Sequence, residues 1–254
     1  MLIVITRQVS PRLGDCALEF QRRVPINAAK AARQHREYEL CLERLGVRIL
    51  SLPSLPDLPD CVFVEDPAVV LDEVAVITRM GAESRRGESA SLADALAPWR
   101  PLVHMTAPAT LEGGDVVRMG KTLYVGLSRR TNTDGLRQFQ ATVEPLGYRV
   151  VRVAVTGCLH LKSACCAVSE DTVLMNRAAV DASAFRQYRI VEVPLDEPGA
   201  ADVLAIGETI LIPTAFPRTA EILEGLGFHV QPVEVSELQK AEAGVTCMSL
   251  VFEA

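Results

Sequence analysis

The sequence has 254 residues, of which 49% are hydrophobic and 23% are charged, and its formal net charge is −6 at neutral pH. An acidic chain lacks the basic surface that nucleic-acid binding normally requires, and its apolar content is too high for disorder. No apolar run reaches the roughly 20 residues of a membrane helix, and the first residues show no signal-peptide pattern. We therefore expect one globular domain over residues 1–254, soluble and cytoplasmic, without a nucleic-acid or membrane partner.

The seven cysteines and four histidines do not follow the spacing of a designed metal site. No C-x-x-C pair occurs, and an odd cysteine count in a chain without secretion signals argues against a disulfide framework. We expect most cysteines to be small buried apolar residues, with no metal and no cofactor. A zinc site that uses Cys247 or Cys158 with His160 is an alternative, but ligand spacing gives it little support.

Short β-branched segments bounded by Gly, Asp or Pro predict strands throughout the chain. They lie at 2–6, 47–52, 68–71, 74–78, 115–119, 122–127, 149–155, 172–175, 189–193, 202–206, 209–213, 229–235 and 247–252. Apolar residues at helical spacing predict the intervening helices. They run from the N-cap Asn27 to Leu45, near 88–97, from Thr131 to Leu146, near 178–187, from Pro217 to Gly225 or Gly227, and from a capping box at Ser236–Gln239.

These elements repeat in the order strand, turn, strand, helix, strand. Four such units follow one another from about residue 66, and a fifth is divided between the two ends of the chain. A period of this length indicates a repeat architecture. The sequence therefore predicts an α/β fold, a five-bladed αβ propeller of pseudo-symmetric ββαβ units in which the N- and C-terminal segments complete one unit.

The phase of the repeat predicts where the chemistry lies. The residue before the first strand of each unit should meet its counterparts at one end of the central channel. Those residues are 42 to 48 positions apart along the chain and are Glu65, Glu112, His160, Asp202 and Cys247. A cysteine beside a histidine and carboxylates suits nucleophilic catalysis, because the histidine can act as general acid and base.

Acidic and basic residues near these positions suggest the kind of substrate. Glu65 and Asp66 follow an apolar segment, and Glu112 stands before two glycines that let backbone approach a ligand closely. Carboxylates suit a planar guanidinium with its five donors, whereas Arg85 and Arg130 can each hold a carboxylate. A pocket with acids at one end and arginines at the other fits a substrate like arginine.

Seven segments resemble those of the dimethylarginine dimethylaminohydrolases, which belong to the guanidino-group modifying (pentein) superfamily. The segments are PDCVFVEDPAVV, ITRMGAESRRGE, LEGGDV, YVGLSRRTN, LHLKS, IPTAFPR and VTCMSL. The resemblance covers residues 57 to 254 closely and weakens between residues 8 and 35. It implies the same five-unit αβ propeller.

By position, the resemblance implies that Cys247 is the nucleophile, His160 the acid and base, and Glu112 the carboxylate that orients both His160 and the guanidinium. It implies a substrate-binding set made of Asp60, Glu65, Asp66, Arg85, Arg130 and the backbone near Ala241. Asp202 departs from the family, whose members have Asn at this position. Residues 9–26 are predicted to form a mobile lid.

The expected activity is hydrolysis of Nω,Nω-dimethyl-L-arginine or Nω-methyl-L-arginine to L-citrulline and dimethylamine or methylamine, through a covalent thiouronium on cysteine. The expected partner is therefore a small methylated arginine, with the chain a monomer or homodimer. One alternative is a hydrolase of another guanidine, as in the arginine deiminases. Another is a propeller that binds a partner without catalysis.

Overall fold

The computed structural model describes residues 1–254 as five three-stranded sheets joined by five α-helices. The strands are β1 (Leu2–Arg7), β2 (Arg48–Leu52), β3 (Ala68–Val70), β4 (Ala75–Ile77), β5 (Leu102–His104), β6 (Val116–Met119), β7 (Thr122–Leu127), β8 (Arg149–Ala154), β9 (Cys165–Ala167), β10 (Thr172–Met175), β11 (Arg189–Glu192), β12 (Leu204–Ile206), β13 (Thr209–Pro213), β14 (His229–Val233) and β15 (Leu250–Glu253). The helices are α1 (Ala28–Arg44), α2 (Ser89–Leu96), α3 (Thr133–Val143), α4 (Pro217–Gly225) and α5 (Ser236–Gln239). None of the helices is long and apolar enough to cross a membrane.

Every sheet has the same connectivity. In four sheets the central strand pairs antiparallel with the strand before it and parallel with the strand after it, as β7 does with β6 and β8, and in the fifth β15 takes the place of the preceding strand. A tight turn suffices for the antiparallel pair, whereas the parallel pair needs a crossover. The crossover is α3 in this sheet and α4 in the sheet β12–β13–β14. The predicted five-unit αβ propeller is confirmed.

The first sheet joins the two ends of the chain, as the split repeat predicted. Its central strand β1 pairs antiparallel with β15, with Leu2 opposite Glu253 and Ile5 opposite Leu250. On its other side, β1 pairs parallel with β2. Because β15 follows closely after Cys247, this pairing fixes the nucleophile candidate to the rest of the ring.

Side-chain caps begin the helices α1 and α3 but not the short helix α5. The side chain of Asn27 accepts a hydrogen bond from the Lys30 backbone, which caps α1 as predicted. Asn132 caps α3 in the same way, so this helix begins two residues later than predicted. The capping box at Ser236 is wrong, because Ser236 is the first residue inside α5 and its hydroxyl accepts from the Gln34 side chain of α1 instead.

Two further predictions differ from the structure. The helix expected near 178–187 is wrong, because only a 3-10 turn at Ala182–Phe185 forms there. The side chains of Asn176 and Asp181 accept hydrogen bonds from nearby backbone N–H groups, and such local bonds compete with a regular helix. Strands β5 and β9 are not among the predicted strands.

The apolar core consists of several clusters, each packed between neighbouring sheets and helices. The largest lies under α1, where Tyr38 and Leu42 pack with Val4, Val62 and Met248. These side chains are essentially inaccessible to solvent. The core thereby holds the segment around Met248 beside the first sheet. The first strand of each unit lines the central channel, and these inner strands are β3, β6, β9, β12 and β15. The loops that precede them carry polar residues.

Candidate active site

The segments that precede the inner strands meet at one end of the ring. The carboxylate of Asp202 lies 3.8 Å from the sulfur of Cys247, although the two residues are 45 positions apart. The ring of His160 lies 2.8 Å from the carboxylate of Glu112, 48 positions away. The convergence that the repeat phase predicts is therefore confirmed for these four residues.

His160 is almost fully buried between two carboxylates. Its Nε2 is 2.8 Å from Glu112, and its Nδ1 is 3.7 Å from Asp66. Burial alone would lower the pKa of His160, but Asp66 and the hydrogen bond to Glu112 outweigh it and raise the pKa to about 9. The imidazole is therefore protonated at neutral pH.

Gly114 makes this arrangement possible. A side-chain carbon at that position would lie 2.7 Å from His160 Nδ1 and 2.8 Å from an Asp66 oxygen. The sequence suggested that the two glycines admit a ligand, but the groups that approach Gly114 in the structure are protein side chains. Its backbone N–H also donates to Asp66 at 3.1 Å, which fixes the second carboxylate beside the imidazole.

Two carboxylates close to the imidazole are themselves held in place. Burial would raise the pKa of Glu112, but its hydrogen bond with His160 and the nearby arginines keep that pKa well below its usual range. Asp115 accepts hydrogen bonds from the Ser128 and Thr131 hydroxyls, each at 2.6 Å, and from the Leu161 backbone at 3.0 Å. Asp115 thus anchors the chain next to His160, while burial raises the pKa of its carboxyl to about 6.

Arg85 is a buried support for Asp66. Its guanidinium donates to Asp66 at 2.7 Å, to Glu88 at 2.9 Å and to the backbone carbonyl of Phe63 at 3.1 Å. An ordinary surface arginine would be exposed, whereas Arg85 is 3% exposed. These contacts occupy most of the donors of Arg85, so the main effect of its side chain is to hold Asp66 in place beside the pocket.

Arg130 lies between the site and the lid. It donates to Glu112 at 3.2 Å from Nη1 and to Glu19 from Nε. Its side chain is buried, while that of its neighbour Arg129 is 74% exposed. These adjacent arginines therefore have different environments, Arg130 in the site and Arg129 at the surface.

The predicted lid, residues 9–26, folds over this site and contains only a 3-10 turn at Leu13–Asp15. The Ala17 backbone donates to the carboxylate of Asp60, which is buried. The carboxylate of Glu242 accepts hydrogen bonds from three successive backbone N–H groups, those of residues 19, 20 and 21. The lid is therefore closed and held from both sides.

A small pocket beneath the lid contains the candidate catalytic residues. It is lined by Ala17, Asp60, Phe63, Asp66, Arg85, Arg130, Leu159, His160, Ala241, Glu242, Ala243 and Cys247. Its free volume is only about 10 Å³, which is roughly the space of one water molecule. The nucleophile candidate, the imidazole, three acids and both arginines thus face the same space. A larger molecule can enter only if the lid moves.

Cys247 is buried among negative charges. Its sulfur accepts a hydrogen bond from the Gly244 backbone at 3.4 Å. Burial raises the pKa of the thiol well above its ordinary value, and Asp202, Glu65 and Asp66 raise it further. These surroundings therefore favour the thiol over the thiolate when the pocket holds no substrate cation.

Comparison with known proteins agrees with this geometry. Residues 16–206 match the family model for "N,N dimethylarginine dimethylhydrolase, eukaryotic". The chain is 40% identical to the N(G),N(G)-dimethylarginine dimethylaminohydrolase of Streptomyces coelicolor, over 97% of this chain and 95% of that protein. It is 38% identical to the protein of the same name from Pseudomonas aeruginosa, over 88% and 89%. The chain belongs to the dimethylarginine dimethylaminohydrolase family.

Solved structures place the fold in the same family. A cysteine-to-serine mutant of the Pseudomonas aeruginosa dimethylarginine dimethylaminohydrolase, complexed with citrulline, superposes with a TM-score of 0.94 at 35% identity over 98% of both chains. The N-terminal domain of ArgZ, a cyanobacterial arginine dihydrolase, superposes with a TM-score of 0.90 at 17% identity. The second likeness concerns the fold alone. The chain is thus a hydrolase of the dimethylarginine dimethylaminohydrolase family with the pentein fold.

Glu65 lies in a different place from the acids that line the pocket under the lid. Its carboxylate accepts from Lys162 at 2.6 Å and from the Thr246 hydroxyl at 2.8 Å. It therefore points into the central channel behind Cys247, which the inner strands line, and not into the pocket under the lid. Ala241, by contrast, lines the pocket as expected.

One group of side chains has donor atoms close enough to hold a metal ion. Asp66, Glu112 and His160 each place a donor atom within 4.8 Å of the others. Two of the three already pair with arginines, since Asp66 binds Arg85 and Glu112 binds Arg130. Neither Cys247 nor Cys158 is a member of this group, so the geometry does not support the zinc alternative that uses a cysteine with His160.

Sequence reasoning missed four residues that position this site. They are Glu19, which binds Arg130, Glu88, which binds Arg85, Lys162, which binds Glu65, and Glu242, which holds the lid. Glu88 could have been found, because it lies three residues after Arg85 in a helical segment. Glu242 has no local signal, since its partners lie more than 220 positions away.

Proposed function

We propose that the chain hydrolyses Nω,Nω-dimethyl-L-arginine and Nω-methyl-L-arginine to L-citrulline and the corresponding amine, with Cys247 as the nucleophile. The observation that carries the proposal is the shared pocket of Cys247, His160, Asp66 and two buried arginines. The names of the relatives support it, as does citrulline bound to a mutant of the Pseudomonas aeruginosa protein.

The charges of the pocket fit an arginine derivative at both ends. Asp66 and Glu112 offer carboxylate oxygens to the guanidinium, whose planar donors match them. Arg130 offers donors to the α-carboxylate, and the backbone at Ala241 covers the substrate. Because the closed pocket has almost no free volume, binding requires the lid to open, after which the Asp60 and Glu242 contacts reclose it over the substrate.

In the first step the Cys247 thiolate forms a bond to the central guanidinium carbon. The positive charge of the substrate offsets the carboxylates around the sulfur and so favours the thiolate. His160 donates a proton to the substituted nitrogen, the carbon–nitrogen bond breaks, and dimethylamine leaves. A cationic thiouronium remains on the sulfur, and Asp66 and Glu112 stabilise its charge.

In the second step the imidazole acts as a base. Having given up its proton, His160 takes one from a water molecule, and the resulting hydroxide forms a bond to the thiouronium carbon. The carbon–sulfur bond then breaks, which regenerates the thiolate, and the proton of the added hydroxyl leaves to water, so that citrulline is released with a neutral ureido group. Glu112 keeps the imidazole oriented in both steps through its 2.8 Å hydrogen bond.

The test is citrulline release from asymmetric dimethyl-L-arginine, with L-arginine as a second substrate and Cys247→Ala as the matched variant. We expect release from the methylated substrate and a loss of at least about a thousandfold in the variant, with an unchanged circular-dichroism spectrum. Cys166→Ala is the control, because that thiol is also buried but does not line the pocket.

Other results would reassign the function. Release from L-arginine alone would indicate a deiminase with the same site, and no release from either substrate would indicate another guanidine or a binding propeller. Turnover that survives in Cys247→Ala would remove the nucleophile assignment.

We also propose a cytoplasmic location, since all seven cysteines are free thiols, which suits a reducing compartment. We further propose a monomer or homodimer as the working form.

A further inference from the structure

Asp202 stands directly behind the nucleophile candidate. One carboxylate oxygen accepts a hydrogen bond from the Thr246 backbone at 3.0 Å, and the other lies 3.8 Å from the Cys247 sulfur. Gly244 leaves room for this carboxylate, because a side-chain carbon there would lie 2.0 Å from it. Asp202 is 4% exposed, so its position relative to the sulfur is fixed by the loop that carries Cys247.

Asp202 differs from the other acids near the sulfur in having no cationic partner in contact. Asp66 is paired with Arg85 at 2.7 Å, and Glu65 with Lys162 at 2.6 Å. The only groups that Asp202 contacts through hydrogen bonds are a backbone N–H and the thiol. Among these acids, Asp202 alone has no ion pair to offset its charge, although Lys162 lowers its pKa from beyond ion-pair distance.

The surroundings of this pair contain a defined set of titratable groups. Glu65, Asp66 and His160 face Cys247 from the loops of the other units, and Lys162, Cys166 and Tyr38 lie behind it. Burial, followed by the charge of Glu65, raises the pKa of Asp202 to about 7. Above that pH the carboxylate is charged and opposes a second negative charge on the sulfur.

We propose that Asp202 is a positioning residue that holds Cys247 as a thiol until a cationic substrate occupies the pocket, and so sets the pH at which the sulfur becomes reactive. The proposal rests on the proposed role of Cys247 as nucleophile. No bond forms to Asp202 in this process. The thiol proton leaves to water when the guanidinium charge offsets the carboxylate, and it returns from water when the product departs.

The test uses Asp202→Asn, which keeps an oxygen for the Thr246 N–H and removes only the charge. The readout is the rate at which iodoacetamide alkylates Cys247 between pH 6 and 11, a range that extends above the ordinary pKa of a thiol, with the site identified by mass spectrometry. Cys247→Ala gives the background from the half-buried Cys158. We expect the midpoint of the rate profile to fall by about one pH unit or more in the variant, because a like charge beside the sulfur is removed.

Glu197→Gln is the matched control. Glu197 is 6% exposed and lies five residues before Asp202, but its carboxylate accepts only from Arg218 and Thr219. We expect the wild-type midpoint in this variant. A structural role alone would slow turnover in Asp202→Asn and leave its alkylation midpoint unchanged, and that result would overturn the proposal.

Two further arrangements keep the result decisive. If Asp202→Asn does not show a cooperative thermal transition, Asp202→Ser serves instead, since its hydroxyl can accept from Thr246 and the same downward shift is expected. Alkylation needs no substrate, so it tests the pair of Asp202 and Cys247 even if no methylarginine is hydrolysed. A downward shift without turnover on any guanidine would therefore keep this inference and refute the proposed function.

Discussion

The pocket under the lid and the central channel lie on either side of Cys247 and differ sharply. The channel has a volume of about 330 Å³ and is lined by the inner strands, with Val69, Val116 and Leu250 among its mostly apolar residues. The pocket has about 10 Å³ and is lined by acids, arginines and His160. Volume alone would therefore direct attention to the wrong side of the ring.

The difference teaches how a symmetric fold can carry an asymmetric site. Both spaces are built from equivalent positions of five similar units. In the channel, the Glu65–Lys162 pair neutralises the charges that are present. In the pocket, several charged groups meet around one imidazole and one sulfur, and buried arginines pair with two of the carboxylates, those of Asp66 and Glu112. The chemistry is concentrated where the charged groups are coupled, and not in the larger of these two spaces.

The largest of these effects is expected at His160, which lines the pocket and not the channel. Replacing it with Gln should lower kcat by roughly a hundredfold to ten-thousandfold, because one group serves as acid and base in the two steps. In the wild type, kcat/KM should fall as the pH rises through about 9, where the imidazole loses the proton that the leaving amine needs. Steady-state kinetics against pH measures both effects, and an unchanged alkaline limb in the wild type would contradict the assignment.

The same residue predicts a pH dependence of stability. The pKa of His160 is raised from 6.5 to about 9 in the folded protein, so its stabilising contribution is complete below pH 6.5 and is lost as the pH rises through 9. Urea unfolding of wild type and His160→Gln at several pH values should show the difference between them shrinking over that interval. A constant difference would mean that the imidazole is not charged in the free protein.

A smaller effect is expected from Arg130→Lys, which keeps the charge and removes the planar donor geometry. We expect KM for dimethylarginine to rise by about tenfold, because one charge-assisted hydrogen bond contributes about 1.5 kcal/mol, with a lesser change in kcat. Arg129→Lys is the control, since Arg129 is 74% exposed. Equal KM values for the two variants would show that Arg130 does not reach the substrate.

The smallest effect on catalysis is expected from the channel. Lys162→Met should lower the free energy of unfolding by about 2 kcal/mol, between the values for buried and for surface ion pairs, because the Lys162 side chain is 23% exposed. Combining it with Glu65→Gln should recover part of that loss. Glu65→Gln alone should leave KM within about threefold of the wild type, since its carboxylate points away from the pocket. A KM rise as large as that of Arg130→Lys would restore Glu65 to the substrate-binding set.

Much of the fold could be predicted because its repeat is visible in the sequence. The strands at 122–127, 172–175 and 209–213 have the predicted bounds, since each is a β-branched run between turn residues. The helix at 178–187 failed because propensity did not account for the local hydrogen bonds of Asn176 and Asp181. Periodicity identifies where elements recur, but it does not show which side chains compete with the backbone.

The candidate site was predictable in position and less so in detail. The repeat phase brought together Glu112, His160, Asp202 and Cys247, because equivalent positions of a propeller are adjacent in space. The phase could not show that Glu65 turns toward Lys162, since direction depends on side-chain torsions and on partners far along the chain. For the same reason it could not reveal that Glu242 holds the lid.

The pairing of β15 with β1 has a consequence for the order in which the protein becomes chemically competent. Contacts between distant parts of a chain form late, because loop closure must precede them. Cys247 reaches His160 only when the sheet β15–β1–β2 has closed the ring. In a nascent or partly folded chain, Cys247 therefore lacks its acid and base. Its reactivity as a nucleophile develops only when the ring is closed.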